Sequence, residues 1–261
     1  MAWVISANTM FGYGIIISDI CVTSPTKATA DIIQKVYPVC NNIGAGFAGN
    51  VFLGFKLIED LNKFLFLKNR NKICDPLWVS ENWYRRAKKI YLESNIHDSG
   101  VHILLNGVSP DIDVGIKGWA KVYTIILRSP NFLPEIYTDG FGIYSIGSGA
   151  SIEKYKKELQ NTFEELGSIL PGEAGDPGGY GRMLITTLSQ FLIKYPVEGI
   201  SKHIHLLEIE RGFIQLFKSD HIDYLKNNQK VEVFMPKVAT NWNELLLLFK
   251  DQELIYSELT C

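Results

Sequence analysis

The chain has 261 residues, 46% hydrophobic and 21% charged, a composition of folded globular proteins rather than disordered tails. Its 26 basic and 28 acidic side chains leave a formal net charge of -2, so no basic excess exists to neutralise a phosphate backbone, and nucleic acid is not expected as a partner. The longest apolar runs, such as Leu245 to Phe249, fall far short of the roughly 18 residues of a membrane span. The opening M-A-W-V-I-S-A lacks the basic and long apolar regions of a signal peptide, and Cys21, Cys40, Cys74 and Cys261 form no C-x-x-C pair, so a reduced, cytoplasmic setting is expected.

Two β-rich runs, Ala2 to Ala7 and Ile15 to Ile17, flank a loop with two glycines and predict a β-hairpin. Ser24, Pro25 and Thr26 break the pattern. Ile32 to Val39 and Ile43 to Phe47 predict a second strand pair turned at Asn41-Asn42. From Asn50 the apolar period becomes helical through Leu57, Leu61 and Leu65, and a second helix is predicted from Pro76 to Glu93, with proline in its first turn. Strand-like composition returns at Val101 to Leu105, Lys121 to Leu127, Glu135 to Thr138 and Gly142 to Ile146. A polar helix after Ser151, another from Gly181 to Lys194, and a hairpin of His203 to Ile209 with Phe213 to Phe217 follow. Asn241 and Glu244 form a capping box for a short last helix, with a tail to Cys261. Strands and helices come in blocks, which predicts an α+β fold of antiparallel sheets covered by helix pairs, in one domain spanning residues 1 to 261, rather than a doubly wound parallel sheet.

Four motifs have simpler readings than the chemistry they suggest. Gly44, Gly46 and Gly49 spell G-A-G-F-A-G, but no acid follows at the distance a dinucleotide site needs. His203 and His205 share a strand face without a third metal ligand at a recognised spacing. The stretch W-Y-R-R-A-K-K (Trp83 to Lys89) reads as the solvated face of an amphipathic helix, and Ser148 in S-I-G-S-G-A lacks the G-x-S-x-G pattern of a nucleophile elbow.

The segments I-I-I-S-D-I-C-V-T, Q-K-V-Y-P-V and G-A-G-F-A-G-N-V-F-L-G-F-K-L-I-E-D-L together resemble proteasome β-subunits and the peptidase of the bacterial two-component ATP-dependent protease. Both are N-terminal nucleophile (Ntn) hydrolases. The resemblance covers almost the whole chain and is strongest from Ile15 to Leu61. It implies a four-layer αββα sandwich and a peptidase in which a chain-terminal Thr attacks the carbonyl while its own α-amine takes the proton. An α-amine suits that task because its ordinary pKa, about 7.7–8.0, lies near the working pH.

Carried over residue by residue, Asp19 matches the family's strand-end acid and Lys35 its lysine, at the family's spacing. Gly49 matches the glycine whose N–H holds the oxyanion, and Ser148 the serine beside the terminal amine. Glu198 and Ser201, in E-G-I-S, match the family's D-x-x-S pair with Glu for Asp. Ala2 stands at the nucleophile position, and Ala2 to Asp19 is one residue longer than in the family. Methionine removal before a small second residue is expected to expose position 2. The expectation is therefore a threonine-type peptidase framework, with Ser or Cys as variants, silent here because its nucleophile is replaced. A natural non-catalytic assembly subunit and a small-amide Ntn acylase are the alternatives. The resemblance implies a peptide or protein substrate, self-association into a ring, an ATP-dependent unfoldase as partner, and neither metal nor organic cofactor.

Overall fold

A computed structural model describes residues 2–9, 12–23, 29–68, 74–96, 99–111, 120–138, 142–166, 179–218, 221–226, 229–234 and 236–251. In chain order the strands are β1 (Val4–Asn8), β2 (Gly14–Asp19), β3 (Cys21–Thr23), β4 (Thr29–Asp31), β5 (Val36–Cys40) and β6 (Ile43–Gly49). Helices α1 (Val51–Lys68) and α2 (Pro76–Glu93) follow, then β7 (Val101–Val108), β8 (Val122–Arg128), β9 (Pro134–Tyr137) and β10 (Gly142–Ile146). A 3-10 turn at Ser148–Ser151 leads to α3 (Glu153–Leu166), α4 (Gly179–Lys194), β11 (Ile204–Glu210), β12 (Phe213–Lys218), β13 (His221–Lys226), β14 (Gln229–Phe234) and α5 (Trp242–Asp251).

The strands build two five-stranded antiparallel sheets, ordered β10-β1-β2-β11-β12 and β5-β6-β7-β8-β9, and two small hairpins, β3-β4 and β13-β14. The fold is α+β. Neither small hairpin is among the elements predicted from the sequence.

Side-chain alternation along the strands explains how the layers meet. Ile15 and Ile17 pack with Trp3 and Ile5 against Tyr155 of α3 and Leu188 and Phe191 of α4. Ile16 and Val4 point the other way and meet Val36, Ala48 and Leu104 of the second sheet. The opposite face of that sheet packs Ile103, Leu105 and Ile125 against Leu57 and Leu61 of α1 and Trp83 of α2. A strand covered on both sides has no polar face, which is why I-I-I runs unbroken through β2. Gly44 and Gly46 serve the same contact. A Cβ at Gly44 would lie 2.8 Å from Ile209, and one at Gly46 2.7 Å from Val4, so these glycines let the sheets approach rather than cradle a phosphate.

The helix boundaries have local causes. Asn50 Oδ1 accepts from Leu53 N–H at 2.9 Å at the start of α1. Asp75 accepts from Leu77 N–H at 3.0 Å before Pro76, giving α2 the limits predicted from sequence. At α5, Asn241 Oδ1 accepts from Glu244 N–H and Glu244 accepts from Thr240 N–H, and Trp242 meets Phe52 of α1 edge-on. The tail beyond residue 251 lies outside the described residues. On α2, Trp83 is buried and donates to Asp60 Oδ1 at 2.9 Å, while Arg86 pairs with the same carboxylate from the solvent side.

Ile32 to Val39 is not one strand. Ile32 and Ile33 N–H both bond Ile20 O, Ile33 bridges Ala239, and only from Val36 does the chain join the second sheet. The crossing from one ladder to the other is what delivers Lys35 to Asp19.

Candidate active site

Asp19 closes β2 and is fully buried. A carboxylate there is tolerable only if its oxygens are occupied and its charge is matched. Its Oδ1 accepts from Lys35 Nζ at 2.7 Å and from Trp3 N–H at 2.8 Å. Its Oδ2 accepts from Cys21 N–H at 3.1 Å and, at 3.4 Å, from Ser201 N–H. The strand pairing makes this possible, because Asp19 N–H also bonds Trp3 O and holds the start of the chain against the end of β2. Lys35, 2% exposed, has its ammonium in that carboxylate's reach.

One residue before Trp3, Ala2 N donates to Ser148 Oγ at 3.1 Å, and Gly149 N–H bonds Ala2 O at 3.0 Å. The 3-10 turn thus clamps the backbone of residue 2, directly before the residue that Asp19 holds. Ala2, Lys35, Gly49 and Ser148 line one cleft of about 350 Å³, with Phe47 and His102 in its wall. Gly49 ends β6 at φ +102°, and a Cβ there would lie 2.2 Å from Gly100 O, so neither the conformation nor the space admits a side chain.

The structure places the other candidates differently. Ser201 joins the cluster through its N–H, while its Oγ donates to Asp31 Oδ2 at 2.7 Å and accepts from His203 N–H at 2.9 Å. Glu198 is exposed on a turn and lines a separate, larger cleft of about 1200 Å³ with Asp31 and Ser201. The expected E-x-x-S pair is therefore split. Asp31, on β4, is the acid that Ser201 meets.

A nucleophile other than residue 2 would have to come from the side chains of the cleft that Ala2 lines. Cys21 lines it, but burial, then the Asp19 charge, push its thiol up to about 12, so it holds its proton at neutral pH. His102 is shifted down, first by burial and then by Arg128, which favours a neutral imidazole in the wall. His205 is lowered to about 3, mainly by burial, and neither ring nitrogen has a hydrogen-bond partner among the described residues. No group of three or more His, Cys, Asp or Glu side chains among the described residues is placed to hold a metal ion.

Asp31 and His102 escaped the sequence analysis because no spacing marks them. Asp31 sits on a three-residue strand, and His102 opposes Ala48 only through the β6–β7 register. No helix among the described residues is long and apolar enough to cross a membrane. Comparison with known proteins adds no identity, since neither a protein-family model nor a curated protein matches the chain.

Proposed function

We propose that this chain carries the framework of a proteasome-like Ntn hydrolase, a four-layer αββα sandwich with a cleft for peptide-bond cleavage, and that Ala at position 2 leaves it hydrolytically silent. The observation that carries the proposal is the double clamp on the start of the chain. Ala2 N meets Ser148 Oγ while the next amide, Trp3 N–H, is held by the carboxylate that also pairs with Lys35. Nothing in a stability argument asks for a buried ion pair at that spot, because such pairs gain little over apolar packing.

With a hydroxyl at position 2 and methionine removed, the α-amine would take the hydroxyl proton as the oxygen attacked a peptide carbonyl. The Lys35 charge stabilises developing negative charge nearby, and Gly49 N–H is the donor assigned to the oxyanion. Collapse breaks the C–N bond, the amine leaves with the proton, and water hydrolyses the ester. The substrate is a peptide or protein. A ring of copies and an ATP-driven unfoldase belong to the same proposal. Exposed Leu133 and Ile136, at and beside the outer strand β9, supply apolar surface for self-association.

A second reading, a non-catalytic assembly subunit, is favoured by Ala2 itself and by the protonated state of Cys21. The test is the Ala2→Thr protein, with methionine removal verified by intact mass, assayed on fluorogenic peptides. Peptide hydrolysis is expected to appear and to fall about 10²-fold or more when Lys35→Ala is added. Silence with a correctly processed terminus and intact assembly overturns the hydrolase reading in favour of the assembly subunit. Turnover of short acyl amides alone would assign an acylase instead.

A further inference from the structure

A second reactive pair lies on the outer side of the second sheet, where the β5–β6 turn meets the start of α2. Cys40 closes β5, and Cys74 directly precedes Asp75, the N-cap of α2. Their sulfurs are 2.9 Å apart, less than 1 Å beyond the roughly 2.05 Å of a disulfide bond. Asn42, in the turn after Cys40, fixes this approach. Its Oδ1 accepts from Cys74 N–H at 3.0 Å, and its Nδ2 donates to Cys74 O at 2.7 Å and to Val108 O at 2.6 Å. The backbone of Cys74 is therefore held to the hairpin by a two-way amide pair that keeps the two sulfurs close. Cys74 is 1% exposed, whereas Cys40 is partly open to solvent.

We propose that Cys40 and Cys74 form a dithiol–disulfide site that reacts with small-molecule disulfides such as oxidised glutathione. Cys40 is the attacking group. It is the sulfur of the two that solvent reaches, and its thiol is lowered, first by the hydrogen bond with Cys74, against the effect of burial and with help from backbone N–H groups of the turn. The Cys40 thiolate attacks one sulfur of the small disulfide, breaks its S–S bond and releases one small thiolate. Cys74, deprotonated as it reacts, then attacks Cys40 Sγ, breaks the mixed disulfide and releases the second small thiol. In total the protein loses two electrons and two protons, and the small disulfide is reduced to two thiols. The bond ties positions 34 residues apart and narrows the unfolded ensemble. This site stands apart from the cleft and does not depend on the hydrolase proposal.

The test uses the full chain, equilibrated in glutathione buffers of rising oxidised fraction, quenched by alkylation and mapped by peptide mass. The expected result is a Cys40–Cys74 linked peptide, loss of both thiols together, and a rise in Tm of about 5–10 °C that dithiothreitol reverses. Cys74→Ser is expected to trap the glutathione adduct on Cys40. The proposal is overturned if both thiols stay alkylatable in fully oxidised glutathione, or if the cross-link maps to Cys21 or Cys261. Mapping of the unsubstituted protein needs no variant, so misfolding of a substituted chain leaves the result decisive.

Discussion

Two buried polar clusters lie between or beside the same two sheets, and they are built on different chemistry. At the cleft, Asp19 and Lys35 form an ion pair supported by three backbone N–H groups. Between the sheets, Asn106 of β7 donates to Ser6 Oγ at 2.8 Å and Asn8 Oδ1 at 3.0 Å of β1, and Thr124 Oγ1 of β8 donates to Asn8 Oδ1 at 2.7 Å. The second cluster is neutral, is built from hydroxyls and amides, leaves Asn106 Oδ1 without a hydrogen-bond partner among the described residues, and adjoins none of the clefts described above. It fixes how the sheets meet, as a polar group does when its partners exist in only one alignment. The first cluster carries charge that must be desolvated, and it opens on a cleft. That difference separates a structural polar network from a candidate chemical one.

The largest expected effect tests the asymmetry inside the charged cluster. Asp19→Ala strands a buried ammonium and three amides, and is expected to cost about 3–5 kcal/mol in urea unfolding. Lys35→Met is expected to cost less, because the carboxylate keeps its N–H donors. Equal losses would show that the ion pair alone, not the amide cage, holds the site.

Next comes a pH effect at His205, which lies opposite Ser18 in the β2–β11 pairing, one register position from Asp19. Its folded-state pKa is about 3, below the ordinary value of 6.5, chiefly through burial. The unfolded chain therefore binds the proton more readily than the folded one. The stabilising contribution is complete above pH 6.5 and is lost as pH falls toward 3, by up to about 1.4 kcal/mol per pH unit. His205→Phe should flatten the stability curve between pH 6 and pH 4 by about that slope. An unchanged slope would mean that the imidazole is solvated in the native state.

The smallest effect belongs to the neutral cluster. Asn106→Leu is expected to cost only about 1–2 kcal/mol, because Ser6, Asn8 and Thr124 stay bonded to one another. It is expected to leave cleft chemistry intact in the Ala2→Thr protein. A loss of that gained hydrolysis without a loss of stability would show that the two clusters are coupled.

Local sequence carried the elements well where one element decides its own fate. The limits of α2 follow from Asp75 and Pro76, and the start of α5 follows from Asn241 and Glu244, since caps act within a few residues. The I-I-I run of β2 marked a strand, and the structure shows it buried on both faces. Asp19 and Lys35 were singled out by the family resemblance, which they match in type and separation, and the structure sets them 2.7 Å apart.

What the sequence by itself determined was therefore the order of the helices and of the larger strands and their apolar faces, and the resemblance it carries pointed to Lys35, Gly49 and Ser148 around position 2. Only tertiary structure decided which acid meets Ser201, that Glu198 faces another cleft, that residues 32–35 cross between ladders, and that Cys40 touches Cys74. Those outcomes depend on contacts between elements distant along the chain. Strand register and sheet stacking set such contacts, and neither periodicity nor capping encodes them.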